Sequence, residues 1–178
     1  LTRLAGTINK TGSHSVVQLH HAGMRSPKEL IGEAPHCPSD NAEFGARAMS
    51  GDEVRLSFDA FVAAAKRAEK AGFHGVELHG AHGYLIGQFL SAEVNQRDDA
   101  YGGSYENRVK FLKDLVDAVR AECGKDFSLG VRLSPERFGM DLMEIRRLAG
   151  ELMASGKIDY LDMSLWDVFT LPQDEAHQ

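Results

Sequence analysis

Cysteine is nearly absent from this chain of 178 residues: it has two, Cys37 and Cys123, with no short spacing between them. Nothing therefore suggests a zinc ribbon, a disulfide scaffold or a CxxC redox pair, and a reduced, cytoplasmic setting is the expectation. Positive charge is not in excess either. With 20 Lys and Arg against 26 Asp and Glu the formal charge is −6, which argues against a nucleic-acid scaffold. No apolar run approaches the roughly 20 residues of a membrane span, and the opening residues show no signal-peptide pattern. Neither a membrane nor a secretory route is expected. Long internal repeats are missing too. What remains is 43% hydrophobic and 26% charged, an ordinary globular composition at a length that suits one domain over residues 1–178.

Strand-like and helix-like runs alternate along the chain. After a helical stretch at about Leu1 to Lys10, SVVQLHH (15–21) is short, β-branched and extended. A loop rich in Gly, Pro and Ser is expected from Ala22 to about Arg55. The next helix has Ser57 as its expected N-cap, an apolar stripe of Phe61, Ala64, Ala65 and Ala68, and Gly72 at its end. HGVELHG (74–80) reads as a strand. Ser104 caps a helix running to about Glu122, striped by Val109, Leu112, Val116 and Val119. FSLGVRLS (127–134) follows. Asp141 and Glu144 resemble a capping box, opening a helix with Leu142, Ile145, Leu148 and Leu152 on one face and Gly156 at its end. DYLDMSLW (159–166) is the fourth strand. This order is α/β, with right-handed crossovers and a parallel sheet.

The parity within the strands chooses between sheet architectures. Val17 and Leu19 oppose Gln18 and His20; Val76 and Leu78 oppose Glu77 and His79; Val131 and Leu133 oppose Arg132 and Ser134; Leu161, Met163 and Leu165 oppose Asp162, Ser164 and Trp166. A doubly wound sheet, covered by helices on both faces, needs strands apolar on both. Here one face is polar, which suits a (β/α)8 TIM barrel whose helix ring meets the apolar face and whose lumen takes the other. Burying Gln18, Glu77, His79, Arg132 and Asp162 without partners costs a few kcal/mol each, so they satisfy one another or bind a polar ligand.

Within ELHGAHGYLIGQFLS (77–91), His79 and His82 stand three apart and Tyr84 two further on. A metal site with Glu77, an acid–base set and polar packing are all open. The metal reading lacks the i,i+4 helical spacing of zinc proteases, and flanking glycines leave room for a ligand.

Four segments, VVQLHHAG, AGFHGVELHGAHGYLIGQFLS, NQRDDAYGGSYENRVKFL and GVRLSPERFGMDL, appear in that order. The combination resembles the Old Yellow Enzyme family of FMN-dependent NADH:flavin oxidoreductases and ene-reductases, including the 2,4-dienoyl-CoA reductase branch. The chain departs from the family pattern at Met24, where Arg commonly follows HAG, and at Ala92, where Pro commonly follows FLS.

The resemblance implies a (β/α)8 barrel of which this chain covers about strands three to six, with FMN at their C-terminal ends and NADH or NADPH as reductant. It implies that Gln18 binds the pyrimidine edge of the flavin, where an amide offers donor and acceptor together. Arg132 would lie where negative charge accumulates on flavin reduction. His79 and His82 would hold the acceptor's oxygen, and Tyr84 would protonate its α-carbon; a free tyrosine, titrating near 10, is protonated at neutral pH. Asn95, Arg97, Asp99, the Tyr101–Ser104 turn, Glu106, Asn107 and Arg108 would brace the loop and the following helix. The expected partner is a small enone-like molecule, with no nucleic acid, no membrane and no metal; a homo-oligomer is an open expectation. The rival expectation is a truncated, non-catalytic barrel fragment or subunit that binds no flavin.

Overall fold

The computed structural model describes residues 1–173. In chain order the elements are α1 (Thr2–Asn9), β1 (Val16–Leu19), α2 (Lys28–Ile31), β2 (His36–Cys37), β3 (Arg47–Ala48), α3 (Gly51–Lys70), β4 (Gly75–Gly80), α4 (Leu85–Leu90), α5 (Tyr105–Cys123), β5 (Ser128–Leu133), α6 (Leu142–Ala154) and β6 (Tyr160–Met163). Four of the strands form one parallel sheet in the order β1-β4-β5-β6. Every connection is a crossover through a helix, as parallel pairing demands. No helix among the described residues is long and apolar enough to cross a membrane.

One sheet face carries Val76, Leu78, Leu129, Val131 and Leu133, all buried, with Val17, Leu19, Leu161 and Met163 packed on the same core. Against it lie the expected stripes: Phe61, Ala65 and Ala68 of α3, Val109 to Val119 of α5, and Ile145, Leu148 and Leu152 of α6. Phe111 stacks on Phe89 with ring centroids 4.5 Å apart, joining α5 to the wholly buried α4. Helices α3, α5 and α6 thus cover only the apolar side, and the polar side of the strands is left to face a lumen.

The segment from Ala22 to Arg55 corrects the expected loop. It holds a 3-10 turn (Gly23–Arg25), α2 and the short parallel pair β2–β3, and α3 starts at Gly51. Ser50, not Ser57, is the N-cap. Its hydroxyl accepts the Glu53 amide while the Glu53 carboxylate accepts the Ser50 amide, a complete capping box. The Arg47 guanidinium grips the same carboxylate and, with the Ser50 amide, brings its pKa down to about 2. Ser57 lies about one and a half turns inside α3, after Val54, which is already buried in the core. At α6 the box is half made: Asp141 accepts the Glu144 amide, but the Glu144 carboxylate pairs with buried Arg108 instead.

The polar loop between α4 and α5 is braced by its own side chains. Asn95 donates to Phe89 O and Tyr101 O, both at 2.7 Å, and Arg97 donates to Met49 O at 2.6 Å while paired with Asp99. Arg108 donates to Leu90 O at 3.2 Å. These bonds fix the entry of α5 and the exit of α4 without touching the lumen.

Replacing a capping serine by alanine costs about 1 kcal/mol. Ser50→Ala is therefore expected to lower the urea unfolding free energy by about that amount, and Ser57→Ala, inside α3, to change it by less than about 0.5 kcal/mol. The opposite ranking in paired denaturation curves would return the helix start to Ser57.

Candidate active site

The site is built where β1, β4, β5 and β6 end. Register places Gln18 beside Glu77, Glu77 beside Gly130 and Gly130 beside Tyr160, in one lumen-facing row. One step toward the C-terminal ends, His79, Arg132 and Asp162 form the next row. Above these lie Ser134 and Ser164, just past β5 and β6. Parallel sheets with βα crossovers expose their C-terminal strand ends to ligands, and the His79–Arg132–Asp162 row with Ser134 and Ser164 lies at that end, above the Gln18–Glu77–Tyr160 row.

The chain turns sharply after β4. His82 has φ 60 and Gly83 φ 66, so two successive residues are left-handed. That costs His82 energy which its contacts must offset. Its amide donates to Ser134 Oγ at 3.1 Å, and its Nε2 lies 2.6 Å from Ser164 Oγ. The turn brings Tyr84 back over the strand ends as the N-cap of α4. His79 and His82 rings are 5.1 Å apart, His79 and Tyr84 5.4 Å, and His20 stands 4.2 Å from Tyr84.

Burial dominates the electrostatics. His79 is 4% exposed, and desolvation, followed by His82, His20 and Arg132, lowers its pKa to about 4. His82 is lowered by burial and by Arg132 against an opposing pull from Asp162, and His20 by burial. The imidazoles are thus held neutral beside one guanidinium. Arg132 Nε lies 3.0 Å from Asp162 Oδ2 but out of line for a hydrogen bond, and His79 Nδ1 is buried with no partner among the described residues. Gln18 Nε2 donates to Glu77 Oε1 at 2.6 Å. So the polar face is only partly self-satisfied, with an orphan acceptor or donor on His79 and a poorly directed donor on Arg132 pointing to a polar ligand.

All five site residues expected from sequence, Gln18, His79, His82, Tyr84 and Arg132, belong to this one assembly. Two further members were missed. Tyr160 shares parity with Asp162 and its phenol faces Glu77, with burial and that carboxylate raising its pKa. The signal was its place two residues before Asp162, hidden because the alternation was counted from Leu161. Gln88 is fully buried within α4; it accepts the Met24 amide at 3.1 Å and donates to Gly83 O at 2.7 Å. It staples the loop after β1 to the His82–Gly83 turn. A single amide in the apolar run LIGQFL was its trace. Gly23 permits the staple, since a Cβ there would come within 2.2 Å of Gln88 Oε1.

Beyond His82 the mouth is walled by residues in the same rare backbone region: Arg137, Phe138 and Trp166 have φ of 68, 54 and 61. Phe138 lies 6.1 Å from His82, and the Arg25 guanidinium stands over the Phe138 ring at 5.8 Å. Beside them opens a cavity of about 460 Å3 lined in part by Met24, Arg25, Phe44, Gly83 and Phe138. The cavity has the size of a small organic molecule, and Phe138 and Gly83 separate it from the imidazole cluster.

Residues 1–174 match the NADH:flavin oxidoreductase / NADH oxidase family. The chain is 41% identical over 179 residues to the probable NADH-dependent flavin oxidoreductase YqiG of Bacillus subtilis (strain 168), covering 94% of this chain and 48% of that protein. It superposes on the Old Yellow Enzyme homologue of Zymomonas mobilis with a TM-score of 0.80 and 34% identity, covering 90% of this chain and 50% of the other. Morphinone reductase in complex with tetrahydroNAD gives a TM-score of 0.83 at 32% identity, with 95% and 53% covered. The chain spans about half the length of YqiG. The fold is accordingly a segment of a (β/α)8 TIM barrel, about strands three to six.

Because His79 is held neutral with a pKa near 4, against about 6.5 in an unfolded chain, the unfolded state binds the extra proton between those values. Folding stability should be intact above about pH 6.5 and fall as pH drops toward 4, by up to about 3 kcal/mol for this group. His79→Asn should flatten that slope in pH-dependent thermal melts; an unchanged slope would show that His79 is not its source.

Proposed function

The chain belongs to the NADH:flavin oxidoreductase / NADH oxidase family, and on that footing we propose that it is the catalytic part of an FMN-dependent enzyme reducing the activated C=C bond of α,β-unsaturated carbonyl-type acceptors with NAD(P)H. The observation that carries this reading is the convergence of two neutral imidazoles, one phenol, one amide and one guanidinium at the strand ends, with His79 Nδ1 unpartnered. Residues 1–178 act here as one partial FMN-binding domain, placed in the cytoplasm, with the acceptor and the nicotinamide as small-molecule partners.

The residues present suit FMN. Gln18 offers an amide to the pyrimidine edge, and Arg132 offers a fixed positive charge with an undersatisfied Nε–H. FMN held by these residues would supply hydride chemistry between NAD(P)H and the acceptor's β-carbon. His79 and His82 hydrogen-bond the acceptor oxygen, where charge grows as the β-carbon is attacked. Being uncharged, each imidazole can present one N–H to that oxygen while its other nitrogen stays an acceptor. Ser164 fixes His82 for this task at 2.6 Å. Tyr84, packed against His20 and near His79, delivers its phenolic proton to the α-carbon. Excluding water from His79 keeps the oxygen-binding groups strong.

Purified protein is expected to take up FMN and show bound-flavin absorbance at about 450 nm. Tyr84→Phe should slow reoxidation of the reduced flavin by an enone by about 10²-fold or more while leaving its reduction by NAD(P)H within about twofold. Unchanged enone turnover in that variant would remove Tyr84 as proton donor. A colourless protein that takes up no FMN would instead favour the non-catalytic fragment.

A further inference from the structure

The lower lumen row contains a charge that the chemistry above does not use. Glu77 stands between Gln18 on β1 and Gly130 on β5, with Tyr160 beyond. Gly130 leaves its place in the row empty: a Cβ there would lie 2.1 Å from Tyr160 Cζ, so the ring occupies that space and its hydroxyl faces Glu77. On the other side Gln18 Nε2 donates to Glu77 Oε1 at 2.6 Å. Glu77 is thus held from both flanks by donors.

We propose that Glu77 is a positioning residue for the flavin: by accepting an N–H of Gln18 it turns the carbonyl oxygen of that amide toward the N3–H of the isoalloxazine. This rests on the flavin reading above and deepens it. An amide can present either its oxygen or its nitrogen in a given direction, and the two ends are nearly identical in shape. An ionised carboxylate accepts and never donates, so only the nitrogen end can meet it. The oxygen end is then committed to the opposite side. On the pyrimidine edge of a flavin N3–H is the donor, flanked by two carbonyls, so an oriented oxygen has one partner and the second N–H of Gln18 can serve a carbonyl beside it. Tyr160 keeps the carboxylate from turning away. The Gly130 gap is what lets one residue reach across a whole strand to do this.

Glu77→Gln keeps size and shape but removes the constraint, because a glutamine can donate or accept. The full 178-residue chain is titrated with FMN and with FMN methylated at N3, following the quenching of flavin fluorescence. Wild type should bind FMN roughly tenfold or more tightly than the N3-methylated flavin. Glu77→Gln should weaken FMN by roughly threefold to tenfold and bring the ratio between the two flavins toward one. Adding Glu77→Gln to Gln18→Ala should cost nothing further, since the first acts through the second. If Glu77→Gln does not fold, judged by circular dichroism, Tyr160→Phe carries the same test with a smaller loss in the same direction. Equal weakening toward both flavins, or a loss that adds to that of Gln18→Ala, overturns the positioning role while leaving the flavin reading intact. A wild-type chain that binds neither flavin overturns the flavin reading and the inference with it.

Discussion

Each strand of the parallel sheet commits every second side chain to the helices, and the intervening ones are thereby forced onto the opposite face. The apolar half of that division, from Val76 and Leu78 to Leu129, Val131 and Leu133, is buried against α3, α5 and α6. The polar half cannot be placed elsewhere without slipping a strand by one residue, which would exchange the two faces and bury charges in the core. Burial of the hydrophobic side therefore holds Gln18, Glu77, His79, Arg132 and Asp162 in the lumen, and the candidate site is a consequence of core packing.

Desolvation then shapes what those polar groups can do. His79 sits closest to full burial and its basicity falls furthest, while His82 and His20 shift in the same direction. A cluster of neutral imidazoles around one guanidinium is suited to hydrogen bonding an oxygen on which charge develops, and unsuited to storing protons. The proton for such chemistry has to come from a different kind of group, and the phenol of Tyr84 stands beside the cluster. The positive charge acting on His79 and His82 is that of Arg132, partly balanced by Asp162 at 3.0 Å.

Backbone strain gathers at the same end of the sheet. His82, Arg137, Phe138 and Trp166 are the four non-glycine residues with positive φ among the described residues, and they line or adjoin the mouth of the lumen. The regular elements below provide the rigidity that holds them. Gln88 contributes by tying Met24 and Gly83 to one buried amide, and Ser134 by accepting the His82 amide. Loops that would otherwise relax are pinned from beneath by groups that need not touch a ligand.

Period-two and helical-period patterns, read along the chain alone, determined the α/β order and the polar and apolar faces, with Gln18, His79 and Arg132 on the polar one, while the grouping of His82 and Tyr84 with them was implied by the family resemblance. These are local properties: parity follows from strand geometry, and stripes from the pitch of a helix. Tertiary structure decided what depends on contacts distant in sequence. One exception is local: Ser50 rather than Ser57 begins α3, because Ser50 and Glu53, three residues apart, form a capping box that hydrophobic periodicity does not register. Glu144 leaves its expected box for Arg108, 36 residues earlier in the chain. Tyr160 enters the lumen beside Glu77 through the gap over Gly130, and Gln88 turns from an oddity in an apolar run into a staple between two loops. In each distant case the sequence showed a group able to donate or accept, and only the packed fold settled which partner its burial brought within reach.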